Sequence, residues 1–308
     1  MKNLPHQTTH QLLMIRPAGF HFNPQTAKSN GYMTASHLDD HEQQYFALQE
    51  FDRLANHLTR EGITLEIIED TPTPETPDSI FPNNWLSTHD TEERTLITYP
   101  MEAKNRRLER RVDIIEKLQQ QYQYAVHQDL SAYESKSQFL EGTGSLVFDR
   151  ENYLAYACLS SRTHQAPLAD FCKRIGFKSL TFTGVQASKQ PIYHTNVMMA
   201  LGPEFVAISM DVIPDTNEQH QLLENFEQTG KTVLELSESQ INAFAGNMLA
   251  INNRQGDPFI ALSESAWQSL DTSQRRLLEQ KGTPLASPIP TIEKHAGGSV
   301  RCMLAELF

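Results

Sequence analysis

A short pattern recurs along this chain at intervals of roughly 50 to 60 residues, somewhat longer than the usual repeat periods. Each copy runs polar motif, apolar strand, tight turn, strand, helix and a further strand. Copies open at Phe81-Pro82-Asn83-Asn84-Trp85, Phe139-Leu140-Glu141-Gly142-Thr143-Gly144, Ile192-Tyr193-His194-Thr195-Asn196 and Phe244-Ala245-Gly246-Asn247. A fifth copy, Gly297-Gly298-Ser299-Val300-Arg301-Cys302-Met303, has its first apolar run and no more.

The missing remainder of that copy stands at the other end. His10 to Pro17 reads as a buried strand. Asp39 and Asp40 can cap a helix with Ala47, Phe51, Leu54 and Leu58 at helical spacing and Gly62 as its stop, and Ile63 to Ile68 reads as a second strand. The expected fold is therefore α/β, a five-bladed pseudo-fivefold ββαβ propeller with a central active site. Residues 1–308 would form a single domain, with one blade split between the two ends. Ring closure would protect the strand edges and aim the five polar motifs at one channel. Periodicity alone favours the ring and does not exclude a layered α/β domain.

Other helices are expected around Leu108, Val112, Ile115 and Leu118, around Leu168, Phe171, Cys172 and Ile175 with Gly176 as the stop, and around Leu222, Leu223 and Phe226. Ala18 to His37 reads as a long loop rich in Gly, Asn, Pro and Ser, of the kind that forms lids or binding elements.

The chemistry is constrained by what the composition excludes. A formal charge of −12 argues against nucleic acid or an anionic membrane as partner. No apolar run is long enough to span a bilayer, and the polar start Met1 to Gln7 lacks the apolar core of a secretory signal. Cys158, Cys172 and Cys302 are an odd set without a CxxC spacing, so neither a disulfide framework nor a zinc site is indicated. The expectation is a cytoplasmic protein with a small-molecule partner.

If the ring closes, Asn84, Glu141, His194, Asn247 and Cys302 converge. A thiol, an imidazole and a carboxylate in one cavity are the parts of cysteine nucleophilic catalysis. Glu141 stands between apolar residues and glycines, where an unpaired charge would be costly. Cys158, within a strand, and Cys172, on an apolar helix face, read as core.

These motifs resemble those of the guanidino-group-modifying enzymes, the superfamily of arginine deiminases, dimethylarginine dimethylaminohydrolases and amidinotransferases. The likeness is greatest to the citrulline-utilisation hydrolase branch. It is carried by Met14-Ile15-Arg16-Pro17 with Phe22-Asn23-Pro24, Asp78 to Trp85, Glu141 to Ser145, Ser160-Ser161-Arg162-Thr163, Tyr193 to Met199 and Gly297 to Met303, in that order along nearly the whole chain.

The resemblance implies Cys302 as nucleophile and His194 as general acid and base. It implies Glu141 beside the histidine, Asp78 at a substrate-binding strand end, and Arg162 for the substrate carboxylate. No metal or organic cofactor is implied, and a homodimer is compatible with the family.

The chain departs from the deiminases where Asn84 stands in place of an aspartate. An amide suits a neutral ureido group better than a guanidinium cation. Alternatively Asn84 is structural, and Asp78 with Glu141 supplies the charge.

The expected activity is hydrolysis of citrulline to ornithine, carbon dioxide and ammonia through a covalent Cys302 intermediate. Arginine deiminase, dimethylarginine dimethylaminohydrolase and amidinotransferase activities are the enzymatic alternatives. A binding or assembly role on the same fold is the non-enzymatic one.

Overall fold

The computed structural model describes residues 6–35 and 37–308; the polar start Met1 to Pro5 and Ser36 of the long loop lie outside the described residues. Five three-stranded sheets are arranged in the expected units. In each, an inner strand pairs antiparallel with a middle strand, which pairs parallel with an outer one.

The split blade joins the inner strand Ala305–Glu306 to Gln11–Arg16, which runs parallel to Thr64–Glu69. The next blades are built on Leu86–His89, Thr95–Thr98 and Val126–Asp129, and on Val147–Asp149, Leu154–Leu159 and Lys178–Thr183. Met199–Leu201, Phe205–Ile208 and Thr232–Glu235 form the fourth. Leu249–Asn252, Pro258–Ser263 and Thr283–Ser287 form the fifth.

A parallel middle-to-outer pairing needs a crossover, and helices supply it. Asp40–Arg60 fills the split blade, held at its start by a capping box in which Asp39 accepts from the Glu42 amide. Its Ala47, Phe51, Leu54 and Leu58 are all buried. Gln165–Ile175 ends at Gly176 in the left-handed region, where only glycine is free of a Cβ penalty. Apolar clusters lie between neighbouring blades, and Cys302 borders one of them.

Three expectations need correction. First, the helix of the second blade is Val112–Tyr122, with Leu108 in a separate 3-10 turn, Asn105–Glu109. Arg110 is held away by bonds to Glu134 and Arg111 is extended, so the helix cannot continue backwards, and Leu108 and Val112 face solvent. Second, Leu223 of Thr216–Gln228 is exposed while Leu222 and Phe226 are buried.

Third, Cys302 does not open a strand. It sits in the 3-10 turn Val300–Met303, ahead of a strand of two residues. Single helical turns carry the polar motifs in three other copies as well: Pro82–Asn84, Gly142–Ser145 and Thr195–Met198. Hydrogen bonds link these turns around the axis. Thr143 Oγ1 donates to Asn83 O, Thr195 Oγ1 to Ser145 O, and Asn247 Nδ2 to Asn196 O.

Candidate active site

The helical turns at the inner ends of the blades meet at a small cavity of about 270 Å³, counting all the space between its walls and the solvent at its mouth. Cys302, His194, Asn84, Asp78 and Arg162 all line it. Glu141 stands behind His194 and Asn247 beside Cys302, so all seven residues singled out from the sequence are brought to one place. A larger cleft beneath Arg150 and Phe308 shares none of these residues.

Close packing of the turns depends on a lack of side chain at one point. A Cβ on Gly144 would lie 2.5 Å from Asn84 Nδ2 and 2.7 Å from His194 Nδ1. Glycine there lets the third blade's turn press against both residues.

His194 Nε2 meets Glu141 Oε2 at 2.8 Å. An ionised carboxylate only accepts, so Nε2 carries the hydrogen and Nδ1 keeps its electron pair. Burial pulls His194 down to about 4, with the Glu141 hydrogen bond and charge opposing only in part. Burial alone would push Glu141 up. The Arg162 charge, the His194 bond and the Arg106 charge outweigh it and hold Glu141 well below the usual carboxylate range. At neutral pH the pair is a neutral imidazole on a carboxylate, ready to take a proton at Nδ1.

The Cys302 sulfur has two amide neighbours. Asn247 Nδ2 lies 3.2 Å from Sγ and Asn196 Nδ2 lies 3.5 Å from it. Cys158 and Cys172 sit elsewhere in the core, and burial pushes their thiols up to about 12 and about 11. Neither is suited to act as a nucleophile at neutral pH.

Arg106 was not among the sequence candidates. Its guanidinium grips Glu109 at 2.8 and 2.9 Å, donates to Asn84 Oδ1 at 2.7 Å and approaches Asp78 at 3.9 Å. Burial opposes its charge, but Glu109 and Asp78 more than restore it. In sequence it is one of four arginines within Arg106 to Arg111, which reads as a solvated surface.

Arg106 can only donate, so it fixes the Asn84 amide with Oδ1 towards itself. Asn84 Nδ2 is left as a buried donor without a partner, and Asp78 Oδ1 as a buried acceptor without one.

The long loop covers the cavity. Asn23 Nδ2 and Thr26 Oγ1 donate to Asp78 Oδ2 at 2.7 and 3.0 Å, and Asn30 Nδ2 donates to Ala296 O at 3.0 Å. Arg162 donates to Thr26 O at 2.9 Å and to Ser29 Oγ at 2.8 Å, and lies 4.8 Å from the Tyr193 ring centroid. The loop thus occupies Arg162, the group expected to receive the substrate carboxylate.

Among the described residues no cluster of His, Cys, Asp and Glu is arranged to hold a metal ion, and no helix is long and apolar enough to cross a membrane.

A family profile described as N,N dimethylarginine dimethylhydrolase, eukaryotic, matches residues 16–308. No curated protein sequence matches the chain. Among solved structures, apo ArgZ, an arginine dihydrolase from cyanobacteria, matches with a TM-score of 0.73 and 16% identity, over 96% of this chain and 40% of that one. This chain therefore spans about 40% of ArgZ.

The N-terminal domain of ArgZ bound to product matches with a TM-score of 0.74 and 16% identity, over 97% of each chain. A dimethylarginine dimethylaminohydrolase variant, as its adduct with S-methyl-L-thiocitrulline, matches with a TM-score of 0.63 and 16% identity, over 97% of this chain and 99% of that one. At these identities the solved structures establish the fold.

Proposed function

The chain belongs to the guanidino-group-modifying enzyme superfamily, in its dimethylarginine dimethylaminohydrolase branch, and from that membership we propose that it hydrolyses the guanidino group of arginine or an N-methylated arginine, with Cys302 as its nucleophile. The hydrolases of this superfamily cleave C–N bonds of guanidino or ureido compounds through a catalytic cysteine. Of the three cysteines here, Cys302 alone lines a cavity with a histidine–carboxylate pair. That juxtaposition carries the assignment.

In the proposed reaction Sγ attacks the central carbon while Nδ1 of His194 takes the thiol proton. Nδ1 then gives that proton to the departing nitrogen. Glu141 supports the imidazolium for as long as it exists. Loss of ammonia or an alkylamine leaves a carbon–sulfur intermediate on Cys302. Water, deprotonated by Nδ1, adds to the same carbon and expels the sulfur, giving a ureido product and the resting enzyme. The free Asp78 Oδ1 would accept from the guanidinium N–H groups, and Arg162 would bind the substrate carboxylate once the loop has moved.

Arginine is placed ahead of the citrulline expected from the sequence. The match of residues 16–308 to a dimethylarginine family, and the likeness to an arginine dihydrolase, both favour it. A second reading has its own observation. The partnerless Asn84 Nδ2 offers a donor, and a ureido oxygen can accept from it whereas a guanidinium cannot. On that reading citrulline is also cleaved, to ornithine, carbon dioxide and ammonia.

Arginine, methylated arginines, citrulline and agmatine, assayed for ammonia, alkylamine, citrulline and ornithine, separate these outcomes. Turnover of arginine or a methylated arginine, lost in Cys302→Ser while the circular dichroism is retained, is the expected result. Turnover that survives Cys302→Ser would sink the assignment.

A further inference from the structure

The sulfur of Cys302 is surrounded by amide hydrogens. Asn247 Nδ2 is the nearer, at 3.2 Å, and its orientation is not free. The same nitrogen donates to the main-chain oxygen of Asn196 at 2.9 Å. A carbonyl oxygen only accepts, so the amide cannot be turned round to place Oδ1 there. One hydrogen therefore serves Asn196 O and the other points at Sγ. Asn196 Nδ2, 3.5 Å from Sγ, adds a second and longer contact.

This arrangement leaves Asn247 Oδ1 buried without a partner, and Asn247 itself is wholly buried. An apolar side chain of similar size would avoid that orphan acceptor. An uncharged thiol gains little from an amide donor, whereas a thiolate is a full anion and gains much more. The resting charges near the sulfur offer less support than they first suggest. His194 is neutral at Nδ1, Arg106 is engaged by Glu109, and Arg162 by Glu141 and the loop. Asp78 and the Tyr193 hydroxyl are the other titratable groups on the cavity wall.

We propose that Asn247 is a catalytic residue that donates through Nδ2 to the Cys302 thiolate, stabilising it before attack and again when it leaves the intermediate. The inference rests on Cys302 being the nucleophile. It adds a neutral donor, from a blade that supplies none of the expected catalytic groups, to the machinery of that reaction.

The test is the rate of Cys302 alkylation by iodoacetamide across pH 5 to 10, read by mass spectrometry in the wild type, Asn247→Leu and Asn247→Ser. Iodoacetamide is uncharged and needs no knowledge of the substrate. Loss of the donor should slow alkylation at pH 7 about tenfold and displace its pH profile to higher pH. kcat should fall in parallel with little change in KM. Asn247→Ser, which disturbs packing but leaves a small hydroxyl donor, should lie between.

If Asn247→Leu does not fold, Asn247→Ser reads the same quantity against the wild type. Variants that fold and keep the wild-type alkylation profile would overturn the proposal even if they are less stable. The two readings fail separately. A displaced profile with no turnover of any guanidino or ureido compound would refute the substrate assignment alone.

Discussion

At the residue scale the site is governed by which groups are allowed to carry charge. Neutral His194 on ionised Glu141 has a consequence for stability. The folded state holds this imidazole near 4, below its ordinary value of 6.5, so the unfolded chain takes up the proton first as pH falls. Stability is therefore lost between about pH 6.5 and pH 4, by up to about 3 kcal/mol from this residue. Glu141, depressed further, gives up its own contribution only at still lower pH. Denaturant titrations at pH 7, 5.5 and 4 should show a shallower acid loss in His194→Gln than in the wild type. Equal losses would show that the histidine is not held neutral. Glu141 was visible in sequence because few structural reasons place a carboxylate against apolar residues and glycines, and His194 and Cys302 because they stand in the same motif of the repeat and match the family pattern. Arg106 was not, because nothing local distinguishes an inward arginine from its outward neighbours.

The elements show where sequence patterns stop being informative. Helix Asp40–Arg60 was readable from its cap, its apolar spacing and its stop, since 21 residues give several turns of periodicity. The motif turns were read as strand heads because four residues cannot display a period. Their packing nevertheless depends on single atoms. In Gly144→Ala the new methyl would have to displace Asn84 or His194. It should cost about 1–3 kcal/mol of stability and lower kcat by at least tenfold, the usual range for a forced contact in a packed interior. Thermal melts and steady-state kinetics on the one variant check both. A variant as active as the wild type would mean that the turn shifts freely. The loop over the cavity was legible as a probable lid or binding element from its composition, but its partners Asp78 and Arg162 could be known only from the folded chain.

For the whole molecule, the split blade is what the repeat predicted best, since four complete copies and two complementary ends leave little else. Its closure includes one buried carboxylate. Glu306 accepts from Arg301 at 2.9 Å and faces Arg150 at 3.7 Å, and all three are buried. Glu306 O also accepts from Thr88, so this residue joins the split blade to its two successors. Glu306→Gln would leave two buried guanidinium groups without their carboxylate, and should destabilise the fold by about 3–5 kcal/mol. A chemical-denaturation midpoint unchanged from the wild type would refute that role.

The same closure sets a timetable for synthesis. Thr9 and Leu307, 298 positions apart, are hydrogen-bonded across the seam. A ribosome adding about 5–20 residues per second needs about 15–60 s to travel that distance. Once Thr64–Glu69 has been added, the first strand has its parallel neighbour but, for the rest of that interval, no antiparallel one. The thiol emerges after every other group of the cavity, so a nascent chain can assemble the imidazole, the carboxylates and the arginines while it remains chemically inert. Reactivity and closure of the ring arrive together, as residues 302–308 are added.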